Sequence, residues 1–354
     1  MINKEQLPVW GYDFCVCDNE MYIFHGMINA LFKVDIDDGK VSYLTKIEGE
    51  PVRERSLFTS MVEWKKKIYM FPYNASSIVC YDVVLNKVRK IETKEYNVID
   101  TFGNGRYVYM QPTFFNNYIL KFDLEQEKVI KKIAITPFHS EQTMCSFNDN
   151  CYMGNGVYAV IITPANKICI IDSNSDSVHI VNIQNADDVY ASIEYCDGYI
   201  YAMGNRKYSM AKIDPKSGNI VKTYKAFNGY GRLIGRIQDK IIVDMVYDKD
   251  MYTYNCTDQK VNECRYVSKR DADACKYYWY SYGVLKKCNK DVNYYLNRYD
   301  STIVCNFMTA KEKKIQLKAS DEDYEINKKN IVEDISKCEC EGEFIGLDDY
   351  LKYI

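Results

Sequence analysis

The sequence predicts an all-β chain that folds as a seven-bladed β-propeller, with six or eight blades as the alternatives. A short pattern recurs about seven times along the chain, at spacings that run from 41 residues (82 to 123) to 51 residues (255 to 306). Each spacing has room for four short strands and their turns, and is too long for a helical pair. A four-stranded sheet cannot bury both of its faces alone, and radial stacking of such sheets does so.

The repeated pattern is a tyrosine or aliphatic residue, an Asp or Asn 13 or 14 positions later, and usually a Val or Ile six positions after that. Its copies are Tyr22, Asp35, Val41; Tyr69, Asp82, Val88; Tyr109, Asp123, Val129; Tyr158, Asp172, Val178; Tyr201, Asp214, Ile220; Ile242, Asn255, Val261; and a last copy around Asn306. We interpret the Asp or Asn as structural, because its side-chain oxygen can accept backbone N–H groups of the turn that ends the third strand.

The repeats place the propeller in residues 1–318 and leave residues 319–354 as a tail. The expected blade limits are about 9–50, 51–94, 95–137, 138–185, 186–227, 228–268 and 269–318. Within the second blade we expect strands at about 57–63, 67–71, 77–81 and 87–92. The first blade contains four strands of its own, so closure of the ring does not require an exchanged strand, although the tail can contribute one.

The tail changes character after Ala319. Its end carries apolar residues at helical spacing, which predicts a short amphipathic helix. These residues are Leu347, Tyr350, Leu351 and Ile354. A helix this short is unstable alone in water. It therefore packs on its own propeller or docks on a partner protein.

Composition limits the classes of function. The net charge is −3, from 46 basic and 49 acidic residues, which gives no global basic footprint for nucleic acid. No apolar run is long enough for a signal peptide or a membrane span. We therefore expect a cytoplasmic protein that is monomeric and does not contact membranes. Its 14 cysteines are then expected as reduced thiols, many of them small apolar side chains within strands.

Two segments are similar to pyrroloquinoline-quinone-type propeller repeats: Asp197–Gly204 followed by Lys212–Ile220, and the turn Asp35–Val41. Arg53 and Arg55, ahead of the first strand of the second blade, resemble a feature of kelch repeats. The resemblance implies a β-propeller. Kelch units usually carry a Gly-Gly pair and a Trp at a position that this chain fills with Val, and the acidic metal ligands of quinone enzymes are not found. The resemblance therefore implies no cofactor.

In a propeller, the loops that lead into the innermost strands and those that join the second and third strands converge on one face around the channel. The candidate ligand-binding residues in these loops are Trp10, Arg53, Arg55, His139, Glu141, Asp187, Tyr190, Tyr230, Arg232 and Tyr278. Arginine forks and aromatic rings suit a sugar, a phosphate or a peptide carboxylate. The alternative is that these residues are solvated loop residues and channel packing.

Two clusters suggest chemistry of their own. His139 and Glu141, followed by Cys145, could share a pocket for acid–base catalysis, with an ordinary surface pair as the alternative. Cys15 and Cys17 with Cys338 and Cys340 could supply four thiolates to zinc. We favour neither. A loop histidine beside a glutamate is more often a surface pair, and alternate residues of one strand seldom both ligate a metal. We therefore expect no catalytic residue and no metal.

Three functions follow from these observations. We favour a non-catalytic binding or scaffold propeller that presents its loop face and channel to a protein or to a small polar ligand such as a glycan. The second is a hydrolase or lyase acting on a carbohydrate or peptide through channel residues. The third is an accessory protein of a bacterial surface-glycan pathway, suggested by a likeness of the segment 344–351 to such proteins.

Overall fold

The computed structural model describes residues 11–26, 29–51, 56–92, 97–112, 118–135, 146–224, 229, 231–245, 251–263, 284–289, 292–297, 302–307, 312–316 and 318–319. Within these ranges the regular secondary structure is entirely β, in seven sheets. No helix there is long and apolar enough to cross a bilayer. The proposed helical tail, with Leu347, Tyr350, Leu351 and Ile354, lies outside the described residues.

The first four sheets follow one another along the chain. The first sheet contains β1 (Phe14–Cys17), β2 (Glu20–Phe24), β3 (Leu31–Asp35), β4 (Lys40–Thr45) and, from far along the chain, β29 (Lys318–Ala319). The second contains β5 (Phe58–Trp64), β6 (Lys67–Pro72), β7 (Ile78–Asp82) and β8 (Lys87–Ile91). The third contains β9 (Val98–Asn104), β10 (Tyr107–Pro112), β11 (Tyr118–Asp123) and β12 (Lys128–Ala134). The fourth contains β13 (Ser146–Gly154), β14 (Val157–Thr163), β15 (Lys167–Asp172) and β16 (Ser177–Asn182).

The last three sheets repeat the same order. The fifth contains β17 (Tyr190–Cys196), β18 (Tyr199–Gly204), β19 (Met210–Ile213) and β20 (Ile220–Tyr224). The sixth contains β21 (Gly231–Ile237), β22 (Lys240–Met245), β23 (Met251–Asn255) and β24 (Val261–Glu263). The seventh contains β25 (Val284–Asn289), β26 (Val292–Asn297), β27 (Thr302–Phe307) and β28 (Glu312–Gln316). Apart from β29, strands that follow one another in the chain are neighbours in each sheet, so the four local strands of every sheet form an up-and-down meander.

The chain divides into two compact units, residues 1–90 with 287–354, and residues 91–286. In the first unit, β1 packs against β5. In the second unit, β9 packs against β13, β13 against β17, and β17 against β21. The first strands of successive sheets therefore lie side by side, and their polar side chains can reach from one sheet to the next.

The first sheet has a fifth strand that comes from the far end of the repeats. Lys318 and Ala319 pair in parallel with Lys40 and Val41 at the outer edge of β4. The sequence assigned four local strands to this sheet, and the structure contains them together with this additional one. The added strand covers the outer edge, which would otherwise expose unpaired backbone groups.

The repeated Asp or Asn has the structural role that the sequence predicts. In six of the repeats its Oδ1 atom accepts the backbone N–H of the residue two positions later, as Asp82 does from Val84 at 3.0 Å. The other five are Asp35, Asp123, Asp172, Asp214 and Asn255. The prediction is confirmed for these six positions, and the side chain of Asn306 lies outside the described part of the chain.

The repeated tyrosines are buried on the second strands and join adjacent sheets. Tyr109 of β10 stacks on Phe102 with a centroid distance of 5.4 Å. Its hydroxyl donates a hydrogen bond of 2.6 Å to Asp176 in the turn of the fourth sheet. Burial, together with that carboxylate, raises the pKa of the Tyr109 phenol. The ring supplies apolar area for the core, and the hydroxyl fixes the register between the third and fourth sheets.

Cysteines fill small gaps in the strands, as the sequence predicts. Cys15, Cys80, Cys169 and Cys196 are all buried, as thiols rather than disulfides. Burial raises the pKa of Cys169 to about 12. These thiols behave as apolar side chains of the core.

Candidate functional site

The leading end of each sheet is defined here as the end at which the first strand begins and the second strand ends. Three of the predicted site residues lie in described parts of the chain: Asp187, Tyr190 and Arg232. Outside the described residues lie Trp10, Arg53, Arg55, His139, Glu141, Tyr230 and Tyr278, together with Cys145, Cys338 and Cys340. The candidate site is therefore built from the leading ends of the fourth to sixth sheets, all of which belong to the second unit.

Arg232 lies near the start of β21 and pairs with a residue two sheets away. Its Nη2 atom is 3.4 Å from Oδ1 of Asp149 on β13, and the two side chains are 16% and 12% exposed. The strand between them, β17, packs against both β13 and β21. Arg232 therefore reaches along the start of β17 to Asp149.

Asp149 also forms a hydrogen bond to β17, the strand that lies between β13 and β21. Its Oδ2 atom accepts a hydrogen bond from the backbone N–H of Ile193 on β17 at 3.1 Å. Its Oδ1 atom accepts one from the backbone N–H of the next residue, Asn150, at 3.0 Å. One carboxylate thus fixes two first strands and a guanidinium. Hydrogen bonds of this charge-assisted kind are stronger than neutral ones.

Further polar side chains of the first strands make the same kind of link. The Ser192 hydroxyl on β17 accepts the N–H of Leu233 at 2.9 Å and lies 3.1 Å from that residue's carbonyl oxygen. In the first unit, Oδ2 of Asp13 accepts the N–H of Met61 at 2.8 Å. Asn150 donates to Asp100 on β9 at 2.8 Å. We call Asp13, Asp100, Asp149 and Ser192 the linking residues, because each joins its own first strand to the next one in its unit.

Sequence reasoning missed the linking residues, although the repeat carries a signal for them. Each stands nine positions before a repeated tyrosine: 22 − 13, 109 − 100, 158 − 149 and 201 − 192 all equal 9. The same position before Tyr69 holds Ser60, whose hydroxyl is 3.3 Å from Oδ2 of Asp13. Aligning the copies on tyrosine would have shown that a polar residue recurs at this position of the first strand.

Asp187 and Tyr190 form a pair at the leading end of the fifth sheet. The Tyr190 ring is fully buried, and its hydroxyl donates to Oδ1 of Asp187 at 3.2 Å. Burial and the neighbouring carboxylate raise the pKa of this phenol. Asp187 is 41% exposed, and Nζ of Lys207 lies 3.9 Å from its Oδ2 atom. The pair therefore presents a carboxylate to solvent, with the aromatic ring packed behind it.

The neighbouring Asp188 is buried and organises the loop between β18 and β19. Its carboxylate accepts the backbone N–H groups of Arg206 and Lys207 at 3.0 and 2.9 Å, and the Ser209 hydroxyl lies 3.3 Å away. A methyl group added to Gly204 would lie 2.0 Å from Oδ2 of Asp188. Only glycine fits there, because the carboxylate occupies the space of a side chain.

The described residues contain no group of three or more His, Cys, Asp or Glu side chains placed to hold a metal ion. Cys15 and Cys17 of β1 are both buried in an apolar cluster with Tyr22 and Met61. Burial, with a smaller contribution from Glu63, raises the pKa of Cys17 to about 11. This environment favours the neutral thiol, whereas a metal binds the thiolate.

No protein-family model and no curated protein matches the chain. Solved structures do match. A virginiamycin B lyase from Staphylococcus aureus has a TM-score of 0.62 at 8% identity, over 83% of this chain and 94% of that one. YCF48 bound to D1 peptide gives 0.59 at 12% identity, over 83% and 90%. The WD40 β-propeller domain of Doa1 gives 0.55 at 9% identity, over 90% and 96%.

These similarities, together with the seven meander sheets, confirm the predicted fold class. The chain is a β-propeller repeat protein that resembles pyrroloquinoline-quinone-type repeats, and its sheets are the blades. The similar structures include a lyase and a peptide-bound protein. A propeller of this kind therefore serves both catalysis and binding, and at these identities the likeness extends to the fold alone.

Proposed function

We propose that this chain is a non-catalytic binding propeller that holds a segment of a partner protein, or a small polar ligand such as a glycan, at the leading ends of its blades. One observation carries the proposal: the linking residues on the first strands are hydrogen-bonded to the strands beside them. Asp149, for example, is occupied by the Ile193 amide and by Arg232. The linking residues stabilise the blades through these hydrogen bonds, as expected of a scaffold. The loops at the leading ends are then the parts of the chain that contact a ligand.

The electrostatics support the same function. A catalytic acid at neutral pH usually needs a carboxyl group whose pKa is raised. Among the residues that the structure describes, the carboxyl groups with a clearly displaced pKa have it lowered: Glu20, Asp123, Asp172, Asp176 and Asp214. They lie at the hairpin turns or at the start of β2, away from the leading ends. Their role is structural.

YCF48 bound to a peptide is an example of the binding that we propose, on a similar fold. We also propose a cytoplasmic location, which the seven buried thiols of the described residues support, because a reducing compartment keeps thiols from forming disulfides.

The test is a thermal-shift screen of the full chain against panels of glycans, nucleotides and random peptides, with product formation followed by mass spectrometry. A ligand that binds only the folded state raises the melting temperature, and more so the further its concentration exceeds Kd. We expect a shift without product. Release of a cleaved product from any panel member would contradict the proposal and favour the hydrolase or lyase alternative.

A pair of variants locates the ligand. Asp187→Asn removes a charge that is 41% exposed at a leading end, and we expect it to change the shift. Asp172→Asn changes the same residue type in a hairpin turn, and an Asn there can still accept the N–H of Asn174, as Asp172 does at 2.9 Å. This control should keep the shift. Equal shifts in both variants would place the ligand elsewhere.

A further inference from the structure

Three consecutive side chains project from the loop between β18 and β19. Arg206, Lys207 and Tyr208 are all exposed, whereas Gly204 and Ser209 on either side of the loop are buried. The Tyr208 ring is 38% exposed although tyrosines elsewhere in this blade, such as Tyr190 and Tyr201, are fully buried. The loop lies at the leading end of the fifth blade, beside Asp187.

The backbone of this loop is fixed. Asp188 accepts the amides of Arg206 and Lys207, Gly204 N–H donates to the Ser209 carbonyl oxygen at 2.8 Å, and Asn205 N–H donates to the Val189 carbonyl oxygen at 2.9 Å. Tyr208 has a φ angle of 56°. That left-handed conformation is rare for a bulky residue, and the surrounding hydrogen bonds maintain it. The backbone of the loop therefore has little conformational freedom to lose on binding.

The side chains of this loop are available for a ligand. In the part of the chain that the structure describes, the Arg206 guanidinium and the Tyr208 hydroxyl have no protein partner. Lys207 is 58% exposed, and its ammonium is 3.9 Å from Asp187. A planar guanidinium binds a carboxylate through two parallel hydrogen bonds, and a tyrosine ring covers the aliphatic part of an acidic side chain.

We propose that Arg206, Lys207 and Tyr208 form a docking site for an acidic peptide segment of a partner protein. This inference rests on the proposed binding function and specifies its partner. The positive charges of Arg206 and Lys207, with Asp187 beside them, are complementary to a segment that carries one or two carboxylates. A nucleic acid needs a wider basic surface, and the chain as a whole carries a net charge of −3.

The test is selection of a random peptide library on the full chain, followed by affinity measurement of the enriched peptides by fluorescence anisotropy. We expect enrichment of Asp and Glu, and an affinity that falls as salt rises. Arg206→Ala with Lys207→Ala should weaken binding at least about tenfold, because the charge-assisted hydrogen bonds to the peptide carboxylates are lost. Lys216→Ala with Lys222→Ala removes two lysines from the turn and outer strand of the same blade, and should leave affinity unchanged.

Each contrary result is distinct. Enriched peptides that lack an excess of acidic residues, or that bind the Arg206 and Lys207 variant as tightly as the wild type, would overturn this site while leaving the binding propeller in place. Displacement of the peptide by millimolar inorganic phosphate would mean that the loop recognises any anion, and would also overturn it. Failure to enrich any peptide, with no hit in the glycan and nucleotide panels, would overturn both proposals.

Discussion

Asp149 and Arg232 form an ion pair across β17, the first strand of the blade that lies between theirs. The pair is mostly buried, and the same carboxylate accepts the Ile193 amide of the intervening strand. A buried charge that loses its partner is costly, because the remaining ion stays away from water without compensation. The leading ends of three blades thus depend on one carboxylate.

We expect Asp149→Ala to lower the free energy of unfolding by about 2–4 kcal/mol, since it removes one acceptor from the partly buried Arg232 guanidinium and the acceptor of the Ile193 amide. Urea denaturation measures this change. Ser192→Ala removes a neutral link to Leu233 and should cost about 1 kcal/mol. If Asp149→Ala proved no more destabilising than Ser192→Ala, the central role of the ion pair would be wrong.

Gly204→Ala should destabilise the fifth blade. The new methyl group would lie 2.0 Å from Oδ2 and 2.3 Å from Cγ of Asp188, so the carboxylate must move and its loop hydrogen bonds weaken. We expect a loss of about 1–3 kcal/mol, measured by thermal or urea unfolding. Gly229→Ala is the control, because its nearest neighbour, Cε of Met245, would be at 3.7 Å. A similar loss in both variants would indicate a general effect of replacing glycine.

Acid should destabilise the protein below about pH 4. The pKa of Asp123 is lowered first by its hydrogen bonds from Arg106, at 2.8 and 2.5 Å. For Asp176, burial acts to raise the pKa, but hydrogen bonds from Lys121, Tyr109 and Lys131 together lower it. A carboxyl group with a folded pKa below its unfolded value near 3.9 stabilises the protein above that value, and the contribution is lost as the pH falls through the folded pKa.

Urea unfolding between pH 6 and pH 2 measures that loss as a slope of stability against pH. Asp123→Asn should reduce the slope, since it removes one carboxyl group whose protonation differs between the folded and unfolded states. Asn255→Ala changes the corresponding turn position of the sixth blade, where the native residue does not ionise, and should lower stability equally at every pH. A slope unchanged by Asp123→Asn would show that this ion pair does not govern acid unfolding.

The buried thiols of Cys17 and Cys169 should react slowly in the native state. Burial raises the pKa of Cys17 to about 11 and that of Cys169 to about 12, so at pH 8 each thiolate is scarcer than in the unfolded chain by about a hundredfold or more. Reaction with a chromogenic disulfide reagent measures the rates. Val84→Cys, at a position that is 72% exposed, provides the fast reference. If Cys17 or Cys169 reacted as quickly as this reference, the packing described for these two residues would be wrong.

The fold could be predicted because its main signal is local and repeated. Asp82 closes a strand through hydrogen bonds to Val84 and Leu85, and that geometry depends on neighbours within three residues. The expected strands of the second blade, such as 67–71, differ from the observed Lys67–Pro72 by one residue. Turn hydrogen bonds and apolar runs are determined by short segments of the chain, so the sequence alone predicts them correctly.

The candidate site was less accessible to sequence reasoning. Tyr190 was predicted as a loop aromatic facing a ligand, and the structure places its ring in the core with Asp187 in front of it. The Asp149–Arg232 contact joins residues 83 positions apart, so no local pattern contains it. The exposure of a side chain and its contacts with residues of other blades depend on how the blades stack. The sequence of a single repeat determines neither of them.

The parallel pairing of Lys318 and Ala319 with Lys40 and Val41 has a consequence for biosynthesis. The opening blade leaves the ribosome well before Lys318 and Ala319 are translated, so the nascent protein carries an unpaired backbone edge until then. Such an edge can template pairing with another nascent chain on the same polysome. Maturation of the opening blade is thus delayed until the final repeat has left the exit tunnel.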